Sequence, residues 1–362
     1  MIFELLKLCY EKGASDLHFK VGYPPVLRID GSMIPMKKMP VITEVDYEVM
    51  LEGILDDYQL IKFKEHKKLD LGYSFLNTRF RVNLFYDFHG GNAVFRMIPF
   101  LNLSFDDIGL PKAGRLLIER PHGLIMVTGA TGAGKSTTLS AFITHINNTR
   151  TKSIITIEDP IEYIFMDNKS IISQRQVGVD CPTFDRGIRG ALQTDADIIM
   201  VGELRDPEAV EMTLMAAECG KLVFATLHSN TSVQGIDRFV NLFPIAQQSQ
   251  IMSRLSTSLL GIITQTLIPK KMSKGRIAAF EILIAIPTVK GLIGENRMHM
   301  IQSYQEAGGE TGMCTLDQSL ALLISQNKIS AEEGMMKAVS PTVLKKYLEQ
   351  QSIPEETGGK AQ

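Results

Sequence analysis

Residues 123–140 read "GLIMVTGATGAGKSTTLS": an apolar run breaks into a glycine-rich turn, and a helical stretch opens behind a lysine. No other feature constrains the fold so tightly. The spacing G-x-x-x-x-G-K-[ST] is met by Gly129, Gly134, Lys135 and Ser136. Glycines at such points let successive backbone N–H groups turn inward around phosphate oxygens. A helix opening at Lys135 would add unpaired N–H groups and the positive end of its dipole. The loop of Gly129, Ala130, Thr131, Gly132, Ala133, Gly134, Lys135, Ser136 and Thr137 is therefore the expected cradle of a nucleoside triphosphate. Lys135 can reach the β- and γ-phosphates, and Ser136 can ligate Mg²⁺. An apolar strand before the loop and a helix after it set this pattern apart from an ordinary glycine turn.

The rest of the chain narrows what such a site can serve. Its 362 residues allow about two domains. Hydrophobic residues make up 44%, enough for sizeable cores. The formal net charge of −2 carries no global basic signature, so nucleic acid is not an expected partner. The four cysteines, Cys9, Cys181, Cys219 and Cys314, form no C-x-x-C pair, which argues against a disulfide framework or a structural zinc. No run approaches the ~18 apolar residues of a membrane span, and no signal peptide is apparent. The chain is expected in the cytosol, reaching a membrane only through partners.

The first hundred residues read as a small α+β domain. "MIFELLKLCYEKG" has helical spacing and ends at Gly13. In "SDLHFKVG", Leu17, Phe19 and Val21 face one way, His18 and Lys20 the other. "PPVLRIDGSMIPM" reads as a hairpin turning at Asp30-Gly31. "RFRVNLFYD" and "NAVFRMIP" flank His89-Gly90-Gly91 as a second hairpin, with Phe80, Val82, Leu84 and Tyr86 on one face and Arg79, Arg81 and Asn83 on the other. A linker and lead-in helix follow, with a domain boundary near residues 100–112. From Gly123 onward, apolar runs alternate with helical stretches, the α/β pattern of a mostly parallel sheet. The last residues, 351–362, are polar and expected to form a disordered tail.

Four apolar runs of the second half end in reactive residues. "LIMVT" leads into the phosphate loop; "SIITI" ends at Glu158, Asp159 and Glu162; "DIIMV" at Gly202, Glu203 and Arg205; "LVFAT" at His228. In open parallel sheets, ligands sit at the carboxyl ends of the strands. If these runs are neighbouring strands, their polar ends gather around one nucleotide. Phosphoryl transfer needs carboxylates near Mg²⁺ and one to orient the attacking water. Glu203 suits the Mg²⁺ role, directly or through water. Glu158 and Glu162 are both candidates for water activation, and His228 could bond the γ-phosphate and report its loss.

These four boxes, in order, resemble the secretion ATPase superfamily. "ITIEDPIEYIF" is similar to its Asp box, "DADIIMVGELRD" to its Walker B with Glu in place of Asp, and "AAECGKLVFATLHSNTSVQGIDRFVNLFP" to its His box. With "GASDLHFKVGYPPVLRIDG" in front, the chain resembles the PilT/PilU-type retraction ATPases of type IV pili over nearly residues 1–340. The resemblance implies an N-terminal PAS-like α+β domain (residues 1–105) followed by a RecA-like P-loop domain (106–350). It implies a homohexamer that hydrolyses ATP with Mg²⁺, its nucleotide at the junction of neighbouring subunits. Arg81 and Arg96 fall in "RFRVN" and "FRMIP", the segments whose arginines contact phosphate in this family. The implied partners are an inner-membrane platform protein (PilC-like) and a paralogous retraction ATPase, with the motor on the cytoplasmic side.

The chain departs from the family in two places. Where the family reads "LRxDPD", this chain has "LQTDAD", with Gln193 and Ala196 replacing an arginine and a proline. Where it reads "AIRNLIRE", this chain has "TVKGLIGE", keeping a cation at Lys290 and losing one at Gly294. These changes leave open an accessory PilU-like role and a weakly hydrolysing, nucleotide-gated scaffold. An assembly or type II secretion ATPase is a further alternative, although those enzymes carry a longer N-terminus and a tetracysteine zinc insertion.

Overall fold

The computed structural model describes residues 1–29, 31–76, 78–98 and 103–352. The expected turn residue Asp30, part of the expected linker and nearly all of the expected tail lie outside the described residues. The chain divides into two compact units. One is Met1–Leu101 together with Pro160–Phe165; the other is Asn102–Asp159 and Met166–Gln362.

The first unit is built on strands β1 (Asp16–Lys20), β2 (Val26–Ile29), β3 (Ser32–Pro35), β4 (Lys68–Phe75), β5 (Thr78–Asp87) and β6 (Gly90–Ile98). They form one antiparallel sheet in the order β3-β2-β1-β6-β5-β4. Two three-stranded meanders are thus joined where β1 pairs with β6. The alternation expected of β1 and β5 holds: Leu17, Phe19, Phe80, Val82 and Leu84 are buried, while Tyr86 is exposed at the rim. Helices Ile2–Glu11, Glu44–Ile54 and Asp57–His66 supply Leu5, Leu6, Tyr47, Met50 and Phe63 to the same core. The helix before Gly13 is as expected; β4 and the two later helices had no clear signal.

The second hairpin needs a correction. Its connection is Phe88-His89, and Gly90 and Gly91 belong to β6. A Cβ on Gly91 would lie 2.2 Å from the Tyr47 ring, whose hydroxyl donates to the Asn92 carbonyl at 3.0 Å. That glycine makes room for an aromatic ring; it does not form the turn.

The second unit carries β7 (Gly123–Thr128), β8 (Ser153–Glu158), β9 (Ile171–Gln176), β10 (Ile198–Val201), β11 (Leu222–Leu227), β12 (Leu259–Pro269) and β13 (Arg276–Ile284). Their order is β13-β12-β7-β11-β10-β8-β9, parallel from β12 to β9, with β13 antiparallel at one edge. This is a RecA-like sheet. The four runs singled out from the sequence are the contiguous strands β7, β11, β10 and β8. Strands β7, β10 and β11 are buried along their whole length, as strands covered on both faces must be. The chain leaves β7 toward β8 and leaves β11 toward β12, in opposite directions along the sheet. Adjacent strands whose connections diverge open a crevice at their carboxyl ends.

Strands β12 and β13 do not end in a reactive cluster as the other four do, yet they back strand β7 with a buried polar chain. Thr128 Oγ1 lies 2.7 Å from Thr264 Oγ1, which lies 3.3 Å from Ser232 Oγ. The Ser232 N–H donates to Glu281 Oε1 at 2.6 Å. Burial pushes the Glu281 carboxyl up, against hydrogen bonds from Ser232, Gln305 and the Leu316 backbone. Glu281→Ala should cost about 1–3 kcal/mol by stranding buried donors. Glu281→Gln keeps an acceptor for the Ser232 N–H without the buried charge and should be far milder. An acid raised in the folded state binds its proton there first, so wild-type stability gains as pH falls through that raised value. Melting curves from about pH 8 to about pH 5 should therefore show the wild type gaining on Glu281→Gln. A difference that does not change with pH would mean that Glu281 does not titrate on folding.

Candidate active site

The phosphate loop takes its shape from glycine. Gly129, Gly132 and Gly134 have φ of +150°, +77° and +90°, a region that side chains disfavour. At Gly129 a Cβ would also lie 2.5 Å from the Gln265 carbonyl oxygen of β12. The Gln265 side chain, 3% exposed, binds the loop at two points. Its Nε2 donates to the Ala133 carbonyl at 2.6 Å, and its Oε1 accepts from Thr138 Oγ1 at 2.7 Å. Gln265 escaped the sequence reading because it lies 130 residues beyond the loop it supports. Its only trace was the polar trio Thr264-Gln265-Thr266 amid an apolar run.

Helix Lys135–Thr149 starts at Gly134, as the motif requires. Lys135 Nζ donates to the carbonyls of Gly129 at 2.9 Å and Ala130 at 3.1 Å, and lies 3.2 Å from His228 Nδ1. An ammonium has only protons to give, so Nδ1 accepts and the ring proton sits on Nε2. His228 Nε2 lies 2.8 Å from Glu203 Oε1 and donates to it. The other oxygen, Oε2, accepts from Arg205 Nε at 2.7 Å. Arg205 Nη1 continues to Asp159 Oδ2 at 3.1 Å. The two acids favour the charged guanidinium, Glu203 first, and raise the Arg205 pKa. One unbroken series of contacts thus crosses the ends of β7, β11, β10 and β8.

The backbone presents Glu203 to this series. The Gly202 N–H donates to Ile157 of β8 at 2.8 Å, and the Leu204 N–H to Thr226 of β11 at 3.0 Å. The residue between them is pinned at both sides. Asp206 then caps helix Pro207–Glu218, accepting from the Ala209 N–H at 2.7 Å. An open groove runs from Ala130 and Thr131 past His228 along helix Ser232–Asn241 to Asp237, whose carboxyl is raised by burial.

Glu158, at the end of β8, is buried and accepts from Thr156 Oγ1 at 2.7 Å and Gln174 Nε2 of β9 at 3.2 Å. Glu162 is exposed and falls in Pro160–Phe165, which belongs to the first unit. Arg81 and Arg96 are also in the first unit, directly opposite each other on β5 and β6. Arg81 Nη2 is 2.7 Å from Asp70 Oδ2, and Arg96 Nε is 2.9 Å from Asp16 Oδ1. Burial alone would raise Asp16; hydrogen bonds from Arg96 and Ser15 outweigh it and hold the carboxyl below its usual value. Of the departures, Gln193 is exposed and Ala196 fully buried, while Lys290 Nζ donates to the Thr257 carbonyl at 2.9 Å.

Among the described residues, no three His, Cys, Asp or Glu side chains form a group that could hold a metal ion. Also among the described residues, no helix is long and apolar enough to cross a membrane.

The pattern of the family described as "Type II/IV secretion system protein" matches residues 1–319. A type IV pilus retraction ATPase of Pseudomonas aeruginosa, PilT, is 41% identical over 94% of this chain and 98% of its own length. The type IV pilus ATPase PilU of the same organism is 36% identical over 95% and 91%. A crystal structure of the pilus retraction motor PilT with bound ADP superposes with a TM-score of 0.88 at 40% identity, covering 95% of this chain and 99% of that one. The chain therefore belongs to the type II/IV secretion system protein family, as a nucleotide-binding ATPase of the PilT/PilU pilus type.

Proposed function

We propose that this chain is the subunit of a hexameric motor that hydrolyses ATP to retract type IV pili. The observation that carries the reading is the near end-to-end likeness to a retraction ATPase. The series Lys135–His228–Glu203–Arg205–Asp159 supports the chemistry. Residues 1–105 would form the PAS-like domain and 106–350 the ATPase domain. The ring would work at the cytoplasmic face of the inner membrane, turning a PilC-like platform protein and removing pilins from the fibre base.

The loop N–H groups of Gly129–Thr137 hold the phosphates, and Lys135 exchanges its carbonyl partners for β- and γ-phosphate oxygens. Ser136, with Glu203 directly or through a water, would hold Mg²⁺, which would supply charge neutralisation on those oxygens. His228, between Lys135 and Glu203, registers the γ-phosphate. Glu162 orients the attacking water; Glu158, already committed to Thr156 and Gln174, is the weaker candidate. Arg81 holds a partly exposed ion pair with Asp70, which costs little to exchange for a phosphate, whereas the Arg96 partner Asp16 is buried and keeps Arg28 as a second cation.

An accessory, PilU-like role is the second reading. It is favoured by helix Pro287–Gly294, where the family's second basic residue is Gly294. Deletion of the gene separates the two. A main retraction motor leaves cells with abundant surface pili and poor twitching, whereas normal motility means an accessory role. Bald cells would mean an assembly motor and overturn retraction.

Glu203→Gln and Glu162→Gln should each leave ATP binding intact and slow turnover by about two orders of magnitude. Lys135→Ala should weaken binding as well. Steady-state hydrolysis with nucleotide titration measures both. Parental turnover in Glu162→Gln would pass the water to Glu158 or another residue.

Arg81→Ala should lower turnover while the oligomer still forms, since an arginine on the transferred phosphoryl group contributes about 10³–10⁵ in rate in well-studied cases. Mixing Arg81→Ala with Lys135→Ala under subunit exchange should restore partial activity if the arginine serves a neighbouring subunit. Mixed rings without activity would place it in its own subunit, provided that rings diluted with wild-type subunits keep activity in proportion.

A further inference from the structure

We infer that Arg205 is a positioning residue for hydrolysis, clamping the Glu203 carboxylate to Asp159 across the ends of β10 and β8. The inference rests on Glu203 acting beside the phosphates, as proposed above. His228 holds one oxygen of Glu203 and leaves the carboxylate plane free to turn about that bond. Arg205 takes the second oxygen through Nε at 2.7 Å and so defines the plane. Arg205 follows Glu203 by two residues, so that contact alone would move with the loop. What anchors it is Nη1 on Asp159 at 3.1 Å, beyond the neighbouring strand β8. A guanidinium is a rigid planar fork, able to address two carboxylates in fixed directions; a lysine ammonium is a point charge on a flexible stem. The clamp also puts a cation between two acids that would otherwise repel each other. Arg205 is 54% exposed, so the clamp contributes little to folding and its effect belongs to turnover.

The test compares Arg205→Gln, Arg205→Lys, Asp159→Asn and Glu203→Gln in the full chain, by steady-state hydrolysis, ADP affinity and melting. Arg205→Gln should lose about 10- to 100-fold in kcat, the cost of a misplaced group, with KM for ATP and ADP affinity within about threefold. Arg205→Lys should recover only a small part of that loss. Asp159→Asn should lose less, and adding it to Arg205→Gln should lose nothing more, because both break one clamp. Parental kcat in Arg205→Gln, full rescue by lysine, or losses that multiply would each overturn the inference. Should Arg205→Gln melt early, Asp159→Asn carries the test from the other side, and parental kcat there is equally fatal. A slow Glu203→Gln beside a parental Arg205→Gln sinks the clamp alone; a parental Glu203→Gln sinks the role of Glu203 itself.

Discussion

The hydrogen bond between His228 Nε2 and Glu203 Oε1 joins the ends of two adjacent parallel strands, and the site is organised by what it requires. Strands β10 and β11 must stay in register to the last residue of β10, where Val201 pairs with Ala225. Glu203 must leave its strand without drifting, which the bonds of Gly202 to β8 and Leu204 to β11 ensure. His228 must keep Nδ1 free of a proton, which the Lys135 ammonium enforces from the other side. The Lys135 ammonium and the acid of the neighbouring strand are thus joined through one imidazole.

Holding a glycine-rich loop in shape needs support from outside the loop. Loop glycines with positive φ give the backbone its freedom, and Gln265 takes that freedom away again at two points. Further along β12 and β13, the contacts from Thr128 through Thr264 and Ser232 to Glu281 bury polar groups that must all be satisfied. Such a network is costly if any member is lost, and it ties the phosphate strand to the helix that follows His228.

The arginines of the antiparallel unit show a different economy of charge. Arg81 and Arg96 lie side by side across two strands, where like charges would repel, and each has its own aspartate. Asp16 is buried and shared with Arg28, so Arg96 is aimed by a carboxylate that cannot easily turn away.

Sequence alone determined the nucleotide chemistry and the class of fold. The phosphate loop is local: glycine spacing, lysine and hydroxyl lie within a dozen residues, and their geometry follows from backbone rules. The contiguous runs of β7, β8, β10 and β11 were legible because strands buried on both faces must be apolar throughout. The tertiary structure decided what depends on distant partners. It placed β12 beside β7 and so made Gln265 part of the loop. It turned Gly91 from an expected turn residue into the floor under Tyr47. It committed Glu158 to Gln174 on β9, and it set Arg205 between Glu203 and Asp159. None of these could be read in advance, because a side chain's hydrogen-bond partner is fixed by which strands lie side by side, and strand order is not written in the spacing of residues along any one of them.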